Sequence, residues 1–467
     1  MSLTIAQPAT VAVGDADLWS ELRAAVTGRL ICPADPDWDA ARTGWVVQVD
    51  QRPAAVLEVA DATDVVLAVR WAVRHGMSVA AQPRGHAART TLDGALLLRT
   101  GALQDIEIDT AWRTARVGAG VPWRDLLAHL DGTGLVALAG SNADPTVVGL
   151  TLGGGVSWFT RKYGFAANSV RSFDVVDARG ELRRVSAASD PELFWALRGG
   201  GGDFAVVVSM ELELYAEPEL YGGRLLWDVS QARTVLGAFR DLAGDAPTEL
   251  TMWAHVYHFP PIPEVPEPVR GRSFVSVAAT HLGPRDEAEA LLDRLRAAAP
   301  VELDLMGVLP ISALGSVADE PTEPMPAMDH TALLDDLPDA ALDALTAAVG
   351  HRDTCPLAMV QLRHLEGAFA DRPVSRGAVS AVDARFSLFA LGVPAVPELV
   401  APIAAAFAGL DEALADQVTG RRLPNFSGEH QANGAGYDPA TLERLRRVKV
   451  ERDPAGTIRS NKPVLEA

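Results

Sequence analysis

Apolar and polar positions in this chain repeat with two periods, and the switches between them mark out its elements. A leader, residues 1–35, carries one predicted amphipathic helix, Asp17–Leu30. The run PAAVLEVA, Pro53–Ala60, then reads as a strand. Behind it Val65, Val66, Ala68, Val69 and Ala72 form an apolar helix face, with Thr63 as the expected cap and Gly76 as the stop. MSVAAQ, Met77–Gln82, is the next strand, so the unit is β-α-β. The chain leaves it through AQPRGHAART, Ala81–Thr90. Loops at the carboxyl ends of strands are where α/β folds place ligands, so His86 stands in a favoured position.

Strands are predicted at Gly94–Thr100, Asp105–Asp109 and Arg113–Gly120, and a helix at Trp123–Leu130. Phe173–Ala187 reads as a hairpin turning at Arg179-Gly180. In Ala205–Tyr215 the residues Val208, Met210, Leu212 and Leu214 share one face, against Ser209, Glu211 and Glu213 on the other. The character changes near residue 217. A Pro-rich loop, His258–Gly271, precedes a strand in SFVSVAATHLG, a helix over Arg285–Ala299, a strand over Asp383–Gly392 and a helix over Val396–Leu414. Strands with helices of this kind imply an α+β domain: an antiparallel sheet backed by helices, its other face free for a ligand.

Composition narrows the function. The 467 residues suffice for roughly two or three domains. A net charge of −20 argues against a nucleic-acid partner, which requires clustered Lys and Arg. Two distant cysteines, Cys32 and Cys355, make neither a disulfide framework nor a metal site, and fit a reducing cytoplasm. No signal peptide or membrane span is expected.

Two glycine segments stand out: Thr146–Val170, with Gly149, Gly153, Gly154 and Gly155, and Phe194–Val208, with Gly199–Gly202. Glycine allows close approach to a flat or charged ligand, and successive backbone N–H groups bind phosphate. Neither segment is a GxGxxG fingerprint or a GxxxxGK[ST] loop, and turns between strands also use glycine.

Taken in order, QPRGHAA, AGSNADPTVVGLTLGGGVSWFTRKYGFAANSV, DPELFWALRGGGGDFAVVV, LRHLEGAFA and YDPATLERLRRVKVERDPAGTIRSNKPV span the chain from about Trp38 to Pro463. This ordered set resembles the berberine-bridge-enzyme-like FAD-linked oxidases of the vanillyl-alcohol oxidase superfamily. The resemblance implies a PCMH-type FAD-binding domain in two parts, 1–217 and 425–467, around a substrate-binding domain, 218–424. It implies FAD attached covalently to His86; a neutral imidazole is a competent nucleophile. It further implies pyrophosphate contacts from Gln82, Pro83, Arg84, Gly85 and Ala87. Asn142, Val148, Gly149, Leu152, Gly153, Gly154 and Trp158 would line the flavin. Gly202, Val206 and Val207 would meet the adenine side or ring edge, and Asn461 would lie near the isoalloxazine.

Two departures from the family pattern matter. Asn142 occupies the place where many members have a second, cysteinyl flavin link, so His86 is the expected single tether. Leu423-Pro424-Asn425 stands where Tyr-x-Asn is usual, which removes the customary base; Asn425 can still hydrogen-bond substrate or flavin. MWAHVYHF, Met252–Phe259, places Trp253, His255, Tyr257 and Phe259 on one strand face, making Tyr257 and His255 the replacement candidates. The same pattern fits half-exposed sheet residues. Arg363 and His364 are weaker candidates, Arg363 being read as an ion-pair partner, while Lys162 and Tyr163 are read as structural. The expected activity is oxidation of a small organic substrate (alcohol, sugar or amine) with O2 as acceptor, in a setting such as secondary metabolism. A carrier-linked dehydrogenase, a non-redox isomerase or cyclase, and a flavin-binding protein without turnover stay open.

Overall fold

The computed structural model describes residues 16–371, 376–379, 381–426 and 433–465. Three sheets organise them. The first has the order Arg29–Ile31, Ala55–Glu58, Leu96–Arg99, Val79–Ala81, Ile458–Arg459, parallel except for its first strand. The helix Ala62–His75 packs on it through Val65, Ala68, Val69 and Ala72. Its cap is Asp61, not Thr63: the Asp61 carboxylate accepts from the Thr63 and Asp64 amides, and a charged cap also favours the positive helix end. Gly76 ends the helix at φ +64°. The leader helix is shorter than expected, Ala16–Ala25. The Asp64 carboxylate captures the Thr27 and Gly28 amides, and the chain turns there into the edge strand Arg29–Ile31.

The second sheet is antiparallel, in the order Ile106–Asp109, Thr114–Gly118, Val206–Glu213, Val170–Val176, Leu182–Ser186. The hairpin turns at Gly180, φ +76°, as its sequence requires.

The third sheet has eight strands: Leu303–Asp304, Leu220–Asp228, Ser273–Leu282, Leu250–His258, Leu357–His364, Phe386–Gly392 and Met328–Leu334 in order, with Gly307–Val308 also paired to Leu220–Asp228. Its register sorts the residues into two unlike faces. The row Leu225, Val277, Ala254, Leu362, Leu388, Ala332 belongs to one apolar cluster. Helices Ala232–Ala243, Arg285–Arg296, Asp339–Val349 and Val400–Ala413 cover that face. The neighbouring row on the opposite face reads Leu226, Ser276, His255, Gln361, Phe389, Thr331. Apolar burial drives the first face; the second is a buried polar surface, which costs free energy unless its groups are paired.

Candidate active site

The loop after strand Val79–Ala81 is fixed from three directions. Gln82 is buried, and its amide donates to Gln51 Oε1 at 2.8 Å. Asn461, on the returning C-terminal segment, donates to Gln82 Oε1 at 2.8 Å and accepts from Gln51 and the Arg89 amide at 3.1 Å. Its side chain is therefore committed to shaping the loop. Gly85 has φ +82°, and a Cβ there would come within 2.6 Å of the Gly44 Cα. Only glycine lets the two chains approach so closely.

His86 follows. Its ring stacks on Trp45 at 5.0 Å, and Nε2 lies 3.4 Å from Asp144 Oδ2 without forming a hydrogen bond. Burial pulls its pKa down to about 4, with Asp144 opposing and Arg84 adding to the fall. The imidazole is thus neutral at neutral pH. Arg84, expected to face a phosphate, pairs with Asp144 at 2.7 Å, as does Arg124. Asp144 is the hub that sequence reasoning missed; nothing in the run SNADPT distinguishes it from a turn residue. Asn142 closes that turn, accepting from the Asp144 amide at 2.8 Å and donating to the Pro321 carbonyl at 2.7 Å. Pro83 is half-buried and Ala87 exposed. A cleft of about 760 Å³ opens beside His86, lined in part by Trp45, Arg84, Asp144 and Pro324.

The two glycine segments meet. Thr146 caps helix Val147–Leu152, accepting from the Gly149 amide. Gly154 and Gly155 follow with φ +109° and +75°. The Gly201 amide donates to the Leu152 carbonyl at 2.9 Å, which joins the runs, and a Cβ at Gly202 would meet only the Leu152 side chain, at 3.9 Å. Asn425 accepts from the Gly155 amide at 2.7 Å and donates to the Leu150 carbonyl at 2.9 Å. These two bonds make it a clamp on the glycine turn. Val148 is buried, Leu152 half-buried and Gly149 exposed. Val206 and Val207 point into two apolar clusters, so only their backbone is available to a ligand.

Trp158 connects this segment to the large sheet. It is fully buried and stacks on Trp253 at 3.7 Å. Across the polar face, His255 stacks on Tyr257 at 5.0 Å, and Gln361 Nε2 donates to His255 Nε2 at 2.6 Å. Burial, with Arg363 and then Arg224 adding, pulls the His255 pKa down to about 3. A ring so reluctant to charge, with Nε2 already engaged, is a poor base. Burial holds the Tyr257 hydroxyl well above its ordinary range, so it keeps its proton and acts as a donor. Glu320 is a further group that sequence reasoning passed over, because an acid in DEPTEP resembles a solvated loop. Burial pushes its carboxyl up, against the pull of Arg363 and a hydrogen bond to Ser141. Leu423 lies in an apolar cluster with Val156, Phe165 and Val379, so that position supplies no proton acceptor. Among the described residues Arg363 makes no salt bridge: aromatic rings and Gln361 surround it, with Glu320 acting on it at longer range. Lys162 and Tyr163 both bind Glu217 and are structural.

His255 and His364, the latter also pulled down by burial to about 4, give the fold an acid limit. Above pH ~6.5 both states hold these rings neutral, whereas below it the unfolded chain gains protons that the folded one refuses. The thermal midpoint is expected to fall as pH drops from about 6.5 towards 4. A His364→Gln variant should show a shallower fall, read by calorimetry; an unchanged slope would exclude the ring.

The chain is similar to known FAD-dependent proteins. The FAD binding domain family matches residues 53–186. The (R)-6-hydroxynicotine oxidase of Paenarthrobacter nicotinovorans is 34% identical over 276 residues, 58% of this chain and 58% of that protein. The FAD-dependent monooxygenase FUP4 of Fusarium proliferatum is 32% identical over 203 residues, 42% of this chain and 39% of that protein. These matches span about half the length of each relative. Over the whole fold, the crystal structure of 6-hydroxy-D-nicotine oxidase from Arthrobacter nicotinovorans superposes with a TM-score of 0.80 and 27% identity, covering 94% of this chain and 98% of that one. A xylooligosaccharide oxidase from Myceliophthora thermophila shares the fold, with TM-score 0.80, 19% identity and coverage of 97% and 100%.

Proposed function

We propose that this chain, which belongs to the FAD-linked oxidoreductases of the berberine-bridge-enzyme-like fold, is an oxidase of a small organic substrate that passes electrons to O2. The observation that carries the reading is the convergence of three features. A neutral, unbonded His86 Nε2 sits in a glycine-shaped loop, two glycine runs are bonded together, and a buried polar sheet face is tied to them through Trp158. These features fit FAD: the loops supply backbone donors without side chains in the way, and the orphaned imidazole supplies a covalent tether. Bound there, FAD would supply the hydride acceptor and the route to O2.

The protein's share is placement. Gln82–Ala87 and the segment Val147–Trp158 would hold the cofactor, with Gly202 leaving room on one side. Asn461 and Asn425 keep these loops in shape, and Tyr257, kept protonated and stacked on His255, would donate to the substrate. Sheet membership supports the division 1–217, 218–424 and 425–467: strands of the large sheet fall between Leu220 and Gly392, and Ile458–Arg459 rejoins the first sheet. Free thiols at Cys32 and Cys355 favour a cytoplasmic setting, and no helix among the described residues is long and apolar enough to cross a membrane.

The test is peroxide release under air together with anaerobic bleaching of the flavin, across alcohols, amines, sugars and aromatic acids. Bleaching without peroxide would favour a carrier-linked dehydrogenase. A flavin that stays oxidised across the panel would overturn the redox reading. With an active substrate in hand, Tyr257→Phe is expected to lower kcat by roughly tenfold, the size of a lost hydrogen bond to the reacting group. A kcat equal to wild type would remove Tyr257 from the mechanism.

A further inference from the structure

Arg363 is a buried cation that makes no salt bridge among the described residues. It lies on strand Leu357–His364, opposed to Trp253 and Ser387, and is 3% exposed. Its Nε donates to Gln361 Oε1. Its guanidinium stands 4.2 Å from the ring centres of both Trp253 and Phe426, and 5.9 Å from that of Phe389. The terminal nitrogens have no hydrogen-bond partner among the described residues. Rings attract a guanidinium, but they replace only part of the water it has lost.

The groups around it are also short of acceptors. Ser276 Oγ, in the row beside it, has no partner, and His255 Nδ1 makes no well-aligned hydrogen bond. Because Gln361 Nε2 donates to His255 Nε2, the hydrogen of that neutral ring sits on Nδ1, on the side of the Trp253 backbone. The Tyr257 hydroxyl is another donor. Glu320, the acid whose charge Arg363 senses, is held towards its neutral form by burial. The face therefore presents the edge of a guanidinium and a hydroxyl donor beside the half-buried rings of Tyr257, Phe389 and Phe426, while Trp253 is covered by Trp158 on one side and by the guanidinium on the other. A sugar, which both donates and accepts around its whole edge, is poorly matched to such a surface.

We infer that this face binds a planar aromatic substrate through an anionic oxygen, a carboxylate or an ionised ring hydroxyl, paired with the Arg363 guanidinium. The inference deepens the oxidase reading and rests on it for the claim that the bound molecule is a substrate. Bidentate pairing of a planar anion suits arginine, and stacking suits the walls.

The experiment is equilibrium binding to the flavin-loaded protein, followed by calorimetry and by perturbation of the flavin absorbance. The probes are benzoate, ionised 4-nitrophenol, benzyl alcohol, cyclohexanecarboxylate and glucose. Benzoate or ionised 4-nitrophenol is expected to bind at least about tenfold more tightly than benzyl alcohol or glucose, and the stronger of the two identifies which anion the site prefers. Cyclohexanecarboxylate should be weaker than benzoate. Arg363→Gln should lose about ten- to a hundredfold in anion affinity with little change for benzyl alcohol, and Arg363→Lys should recover part. Anions binding no better than benzyl alcohol in the wild type would overturn the inference, as would a folded Arg363→Gln protein with unchanged anion affinity. The wild-type comparison decides even where Arg363→Gln does not fold. Anion binding without turnover of any aromatic acid would count against the oxidase reading alone. Peroxide from a sugar, with no anion binding, would count against this inference alone.

Discussion

Denatured wild-type protein is expected to stay yellow and fluorescent in the polypeptide fraction, and His86→Ala to release all of its flavin. The expectation rests on the state of the ring. Burial holds the imidazole pKa at about 4, so at neutral pH nearly every molecule carries a free nitrogen lone pair. Asp144, 3.4 Å from Nε2, is placed to stabilise positive charge as the ring becomes alkylated. A second tether is not expected: Asn142 is engaged with Pro321 and Asp144, and the cysteines lie elsewhere in the chain, at Cys32 on the parallel-sheet side and Cys355 in the large-sheet core. Flavin released from denatured wild type would refute covalent attachment. Flavin retained by His86→Ala would place the link elsewhere. His86→Ala should still bind FAD non-covalently, because the loop's shape comes from Gly85, Gln82 and Asn461.

The largest loss of stability is expected from Lys449→Met. Lys449 lies on helix Pro439–Arg452 and is 3% exposed. Its ammonium donates to Asp453 Oδ2 at 2.7 Å and to the Asp203 and Ile458 carbonyls at 2.6 Å. Asp453, 1% exposed, also accepts from the Thr457 and Ile458 amides at 2.8 Å. Removing one partner of a buried pair leaves the other charge uncompensated and costs about 3–5 kcal/mol. Urea unfolding should show a lowered midpoint. Lys449→Met/Asp453→Leu should regain only part, because the Thr457 and Ile458 amides would then lack an acceptor. The effect should reach the flavin loop, since the same knot precedes strand Ile458–Arg459 and Asn461. A Lys449→Met midpoint equal to wild type would show that the site is hydrated and contributes little.

What could be read along the chain was whatever depends on local geometry. The Ala62–His75 helix, its Gly76 stop, the Gly180 hairpin and the alternation in Trp253–Phe259 follow from side-chain periodicity and from glycine's access to positive φ. The proposed role of His86 came instead from the ordered set of motifs that carries the family resemblance. The strands Leu220–Asp228 and Met328–Leu334 and the helices Ala232–Ala243 and Asp339–Val349 were not separated in the sequence. Their patterns are ordinary, and only pairing across the large sheet gives them a face.

The sequence by itself determined the elements with a clear period, the glycine turns and the residue types at the loop; the remaining elements of the large sheet, and partnership throughout, were decided by the tertiary structure. Asn425 and Asn461, both read as candidates to face the ligand, became loop clamps because their hydrogen-bond partners arrive from residues hundreds of positions away. Arg84 became the partner of Asp144 for the same reason. Arg363, expected in an ion pair, became a buried cation that makes no salt bridge among the described residues. Charge, burial and hydrogen bonding are fixed by what folding brings within a few ångströms, and sequence spacing carries no record of that distance.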